Sequence, residues 1–336
     1  MINNNLPINF YSNSNKNNSL HPSTPISFGA AQRGLDSLDK AITKYLEKDN
    51  LTLADRLKLQ FRVLASVLNL FRKNNYVGEG HFSVVSKISD DYVLKSEKHK
   101  KYSIWFFRLI KKSEQPFSDI KSYFGSPLFD MGFMKILRNA KTSDTFMPCG
   151  VQLYDKNKKP LKYTEQIKRY DTEYLPMCAS LPQKSYDALL KDINKLGERG
   201  YGLDEVNPGN VVISNNQFKI VDDLEPTEEN TLMGVLTLLL LKYDHNHYAE
   251  PRPQLFNVRK EILRKALIAS EKSNMYLGYK FNSYREEFDI LKDILYDYHT
   301  HACDIFDKIY IMRDKGFPLK NRIEQINAFF ENVELR

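Results

Sequence analysis

The sequence predicts an α+β chain with its strands gathered ahead of a mainly helical region. Three observations carry this. From Tyr76 the texture becomes strand, turn, strand in "YVGEGHFSVVSKISDDYVLKSE". An amphipathic helix, "LPQKSYDALLKDINKLGERG", opens a second half rich in helical periodicity. A short β insert, "NVVISNNQFKIVDD", then interrupts that half around an "NNQ" turn.

The elements follow in order. Residues 1–30 are dominated by Asn and Ser, with Lys16 as the lone charged side chain, and cannot bury enough apolar surface to offset their ordering entropy. They read as a disordered tail, or as a leader for a specialised secretion machine. Residues 31–75 read as a helical hairpin. Leu38, Ile42 and Leu46 mark its first helix, and Thr52 with Asp55 forms a capping pattern for the second. Leu57, Phe61, Leu64, Leu68 and Phe71 then form one stripe, expected to pack on the next domain rather than lie on a membrane. After the strands from Tyr76, residues 98–112 read as a basic helix, and a Gly-Ser-Pro break at 125–127 precedes a helix to about Asn139.

Composition narrows the function classes. The 336 residues suffice for a sizeable core. The net charge of +7 is compatible with an acidic partner but identifies none. Cys149, Cys178 and Cys303 are far apart and lack a CxxC, against a disulfide scaffold or a structural zinc site. The apolar run Leu232 to Leu241 is too short to span a bilayer and reads as a buried helix, and the N-terminal residues do not read as the charged-then-apolar layout of a secretory signal peptide. Nucleic acid is not expected as a partner. The aromatics Tyr102, Trp105, Phe106 and Phe107 among the lysines of 95–112 are assigned to a core face. Two His-rich groups, Asp244, His245 and His247, then His299, His301 and Cys303, lack further ligands and read as exposed helix ends.

The chemistry gathers elsewhere. "GEGHFSVV" places Gly78 and Gly80 between strands, and "YVLK" ends in Lys95 on the same strand face as Val93. A glycine hairpin beside a lysine suits a polyphosphate. Asn210 opens one strand of the β insert and Asp222 ends the other, so a short hairpin brings two hard oxygen ligands together, suited to Mg²⁺ held also by phosphates. Turn chemistry alone would also favour Asn and Asp there, and Lys95 could be a surface strand lysine.

This order resembles the protein-kinase-like superfamily, whose signature is a Gly-rich loop, a third-strand lysine, H-R-D-L-x-x-x-N and D-F-G. Here those positions read "GEGHFSVV", "YVLK", "LDEVNPGN" and "DDL", from Tyr76 to about residue 250. The resemblance implies a two-lobed fold: a small β-rich N-lobe over 76–170 and a helical C-lobe over 171–336, with a catalytic and metal hairpin at 201–226. It implies ATP and Mg²⁺ as cosubstrate and cofactor, and a protein substrate or partner. Gly78 and Gly80 would cover the phosphates, Lys95 would contact them, and Asn210 with Asp222 would hold the metal. Val85 and Val212 would pack on the adenine, with a hinge near Glu165–Arg169. Glu205 would be the catalytic base, with Asp204 the choice if the loop shifts by one.

Several departures qualify the resemblance. Glu205 replaces an aspartate, and its extra methylene moves the carboxylate by about an ångström. Leu203 stands where the family has His, and Asp204 where it has Arg. The third-helix acid expected to pair with Lys95 is best matched by Asp130, with Asp119 and Glu114 as weaker choices. No A-P-E follows "DDL". The implied activity is an atypical bacterial, effector-like protein Ser/Thr kinase, working in the bacterial cytoplasm or in a host cell. The alternatives are a pseudokinase, a small-molecule kinase of the aminoglycoside or choline type, whose loop resembles "NPGN", and nucleotidyl transfer on the same fold.

Overall fold

Thr52 starts the second helix as its spacing predicts. Its hydroxyl accepts from the Asp55 amide, while the Asp55 carboxylate accepts from the Thr52 amide. The computed structural model describes residues 28–79, 83–98, 107–114, 117–140, 170–203, 210–221, 224–226, 256–274, 308–309 and 311–332. These are α+β. The chain divides into two units, residues 1–118 with 124–143, and residues 119–123 with 144–336.

The first unit joins a helical hairpin, α1 (Phe28–Leu46) and α2 (Leu53–Leu70), to a six-stranded antiparallel sheet. Its strands are β1 (Tyr76–Glu79), β2 (Ser83–Lys87), β3 (Tyr92–Glu97), β4 (Phe107–Lys112), β5 (Pro127–Gly132) and β6 (Met134–Arg138), in the spatial order β1-β2-β3-β6-β5-β4. Leu38, Ile42, Leu59 and Val63 from the helices meet Leu94, Ile110, Phe129 and Ile136 from the sheet in one core. Polar contacts fix the docking. The Lys112 ammonium on β4 donates to the carbonyls of Leu46 and Lys48, each at 2.7 Å, and so satisfies the C-terminal end of α1. The Gln60 side chain on α2 accepts from the Ile110 amide of β4, the edge strand, at 3.1 Å.

Three expectations change here. Residues 107–112 form a strand rather than the end of a helix. The expected helix up to Asn139 is the β5–β6 hairpin, which turns at Gly132 with φ at 91°, a value that favours glycine. Finally, α2 is rotated relative to its expected stripe. Leu59, Val63, Ser66 and Leu70 are buried, whereas Phe61 is 69% and Leu68 83% exposed. The smaller side chains let α2 approach closely, and Gln60 beside them reaches β4.

The second unit is built on α4 (Gln183–Glu198), which follows a short helix, α3 (Leu175–Ser180). Tyr186, Leu189, Leu190, Ile193 and Leu196 make the buried face of α4, at the spacing the sequence predicts. Against it lie the β8 (Val211–Ser214) and β9 (Gln217–Ile220) hairpin, the helix α5 (Phe256–Lys272) and, beyond α5, α6 (Leu319–Asn332). A second ladder pairs β7 (Tyr201–Gly202) with β10 (Glu225–Pro226). On α5, buried Lys265 donates to the carbonyls of Ala179 and Leu181 and so satisfies the end of α3. No helix among the described residues is long and apolar enough to cross a membrane.

Candidate functional site

On the first unit the predicted residues fall into one line. Antiparallel register places Gly78 opposite Val85, Val85 opposite Lys95, and Lys95 opposite Lys135. The line continues to Asp130 on β5 and Lys111 on β4, and so crosses all six strands. Directly opposed residues share a sheet face. Leu94, the neighbour of Lys95, belongs to the core beneath the helical hairpin, so the line runs along the other face. On that face Val93 and Leu137, also paired, are buried beside the partly buried lysines.

Lys135 is absent from the sequence reading, which took "FMKIL" as part of a helix. The signal that could have found it is a lone lysine inside an apolar run. The two lysines are directly opposed, about 5 Å apart at Cβ, and Asp130 stands opposite Lys135 on the next strand. Asp130, expected on a helix as the partner of Lys95, lies on β5. It stands next to Lys135 and is separated from Lys95 by the whole of β6. Its carboxylate accepts from the Gly132 amide at 2.5 Å, which holds it in the β5–β6 turn.

The second unit carries the other group. Asn215 and Asn216 turn the β8–β9 hairpin with φ of 52° and 56°, the backbone a two-residue turn of this hand requires. Val211 pairs with Ile220 and Val212 with Lys219. Beyond the hairpin the Val221 amide donates to the Asn210 carbonyl at 3.0 Å, so buried Asn210 lies opposite the residue that precedes Asp222. Outside this, Gly202 pairs with Glu225. The two ladders are therefore nested in sequence, β8 and β9 falling between β7 and β10.

The hairpin is held firmly from behind. The Tyr174 hydroxyl donates to the Val211 carbonyl at 3.1 Å, and Phe218 meets Tyr186 edge to face at 5.1 Å. Residues 119–123 run alongside β9, with the Ile220 amide donating to the Ser122 carbonyl at 2.8 Å and Tyr123 bridged to Ile220. Ser122 is fixed in turn by Asp192 on α4, whose Oδ2 accepts from both its amide and its hydroxyl at 2.9 Å. Asp119, a weaker choice for the Lys95 partner, is engaged here instead. It makes a two-pronged pair with Arg199 at 2.7 and 3.0 Å, whose hydrogen bonds lower its pKa. Glu114, the other weaker choice, is exposed just beyond β4.

The structure thus brings Gly78, Val85 and Lys95 together on one unit, and Asn210 and Val212 on the other. Gly80, Asp204, Glu205 and Asp222 lie outside the described residues, as do the hinge at 165–169 and both His-rich groups. Among the described residues, no group of three or more His, Cys, Asp or Glu side chains is placed to hold a metal ion. Cys178 is fully buried, and burial pushes its thiol well up, which excludes it as a thiolate nucleophile. The chain matches no protein-family model, no curated protein and no solved structure.

Proposed function

We propose that the chain is an atypical, bacterial protein-kinase-like phosphotransferase that passes the γ-phosphoryl group of ATP to a protein Ser or Thr hydroxyl. The observation that carries this reading is the register. Gly78, Val85 and Lys95 stand opposite one another on three neighbouring strands, while Asn210 is bonded to the residue before Asp222. That grouping follows the chain order of a phosphate and metal site, which supports the reading.

The donor set fits the groups implied. Lys95 and Lys135 offer two point charges to phosphate oxygens, and Gly78 lets the backbone approach closely. Asn210 and Asp222 offer the hard oxygens that Mg²⁺ prefers. A metal held there would offset negative charge on the phosphates. Val85, partly exposed beside Lys95, would supply apolar contact for a base. Glu205 would accept the proton of the acceptor hydroxyl as its oxygen bonds to phosphorus and the bond to the β-phosphate breaks.

A second reading, a pseudokinase that holds nucleotide and transfers little, has its own support. A strand occupies residues 127–132, and Asp130 lies beyond Lys135 rather than beside Lys95. One experiment separates the two. The full chain is incubated with labelled ATP, Mg²⁺ or Mn²⁺ and a generic protein acceptor, alongside Asp222→Ala and Lys95→Met. Transfer lost in both variants supports the kinase. Nucleotide-dependent thermal stabilisation without transfer supports the pseudokinase. Neither transfer nor stabilisation in the wild type refutes both.

A further inference from the structure

The helical hairpin of the first unit contains an asymmetry that the phosphotransferase reading does not use. On α1 the outward positions are polar, including Arg33, Asp36, Lys40 and Lys44. On α2 they are not. Leu53, Leu57, Phe61, Leu64 and Leu68, with Phe71 just past the helix end, are between 37% and 83% exposed. At 3.6 residues per turn these six fall in one stripe, centred about 150° from the buried stripe and running about 27 Å along the helix. The stripe is therefore an outward ridge, larger in side-chain size than the stripe α2 buries.

The charges beside the ridge are of one sign. Residues 53–72 contain Arg56, Lys58, Arg62 and Arg72 against a single acid, Asp55. Asp55 is already held by Lys48 at 3.0 Å. Lys58 and Arg72 are exposed, whereas Arg62 is turned to the Ser37 carbonyl on α1 at 2.9 Å. An apolar ridge with basic flanks matches a negatively charged, deformable, flat surface. The apolar side chains enter the acyl boundary while long basic side chains reach the headgroups.

Other occupants match less well. Packing α2 on the α2 of a second copy would set basic flanks against basic flanks, since the one acid of α2, Asp55, is held by Lys48. The chain before α1 has Lys16 as its lone charged side chain, of the wrong sign for these flanks.

We propose that α2 docks the protein on an anionic lipid surface through the Leu53–Phe71 ridge and its basic flanks. This rests on the ridge alone and stands whether or not the chain transfers phosphate. The test is co-sedimentation of the full chain with phosphatidylcholine vesicles, with and without phosphatidylserine. Wild type binds the phosphatidylserine vesicles roughly tenfold or more above the neutral ones. Phe61→Ser/Leu68→Ser lowers that partitioning roughly tenfold or more with no loss of melting temperature, because both side chains are exposed. Lys58→Glu/Arg72→Glu removes the preference for phosphatidylserine. The proposal is overturned if wild type stays free of both vesicle types, or if the serine variant partitions as wild type does. It is also overturned if wild type forms a concentration-dependent dimer that the serine variant loses, because the ridge then belongs to a second copy.

Discussion

Asp192→Ala is the most informative stability variant in the second unit. Asp192 and Ser122 are each 7% exposed, and both donors of Ser122 point at one carboxylate oxygen. Alanine leaves a buried amide and a buried hydroxyl without their acceptor, at about 1–3 kcal/mol for each unsatisfied group. The hydroxyl can rotate toward another acceptor and the amide cannot, so the loss should be about 3 kcal/mol. For a unit of this size that is a fall of about 6–12 °C in melting temperature. Asp192→Asn keeps an oxygen in place and forfeits only the charge assistance, so it should cost about 1 kcal/mol. Urea and thermal unfolding of the full chain, with Ser122→Ala as a third variant, measure the series. The order expected is Ala worst, then Asn and Ser122→Ala together. If Asn is as damaging as Ala, the negative charge and not an acceptor oxygen in that position is what counts, and the reasoning fails. Because Ser122 also receives the Ile220 amide, Asp192→Ala should lower any nucleotide stabilisation as well.

Other predictions follow the same logic. Glu271, 5% exposed, receives Arg322 at 2.7 Å and also pairs with Arg313. Glu271→Ala removes the buried carboxylate that the two arginines share and should cost about 3–5 kcal/mol in urea unfolding, whereas Lys320→Ala on the exposed Glu324 pair should cost almost nothing. The hydrogen bonds of Lys48 and then Thr52 hold Asp55 down from 3.8 to about 2. A depressed carboxylate pKa stabilises the fold above the unfolded value, and that stability is lost as pH falls from 3.8 through about 2. Asp55→Asn should therefore flatten the pH dependence of the melting temperature in that window and leave it unchanged near neutrality in shape. Asn216→Gly should hold or raise the melting temperature, and Asn216→Val should lower stability by about 1–2 kcal/mol, because φ of 56° is strained for a branched residue.

The sequence shows some of these elements plainly and hides others for physical reasons. The α2 cap, the α4 face and the β8–β9 hairpin each have a local cause: a capping pair, a one-sided period, an Asn-Asn turn. The β5–β6 hairpin has none of these. Leu128 and Phe129 are both buried, and so are Ile136 and Leu137, so residues on both sheet faces are apolar and the alternation that marks a strand disappears. The orientation of α2 was hidden differently. The helix carries two apolar stripes, and no local rule says that the smaller one faces the sheet. Lys95 stands out in the sequence because a glycine hairpin precedes it, whereas Lys135 is marked there only as a lone lysine in an apolar run, and the register sets it opposite Lys95.

The brief passage of residues 119–123 into the second unit bears on how this protein could be divided or inherited. No single cut separates the two units. A fragment beginning at Asp144 would contain Asp192 and Ile220 without the Ser122 that both of them bond, and an N-terminal fragment ending at Ser143 would carry that segment with nothing to receive it. Shuffling of the halves between genes would be penalised at this stitch, so the two units should travel through evolution as one indivisible cassette. Split versions should regain structure only when both fragments are mixed.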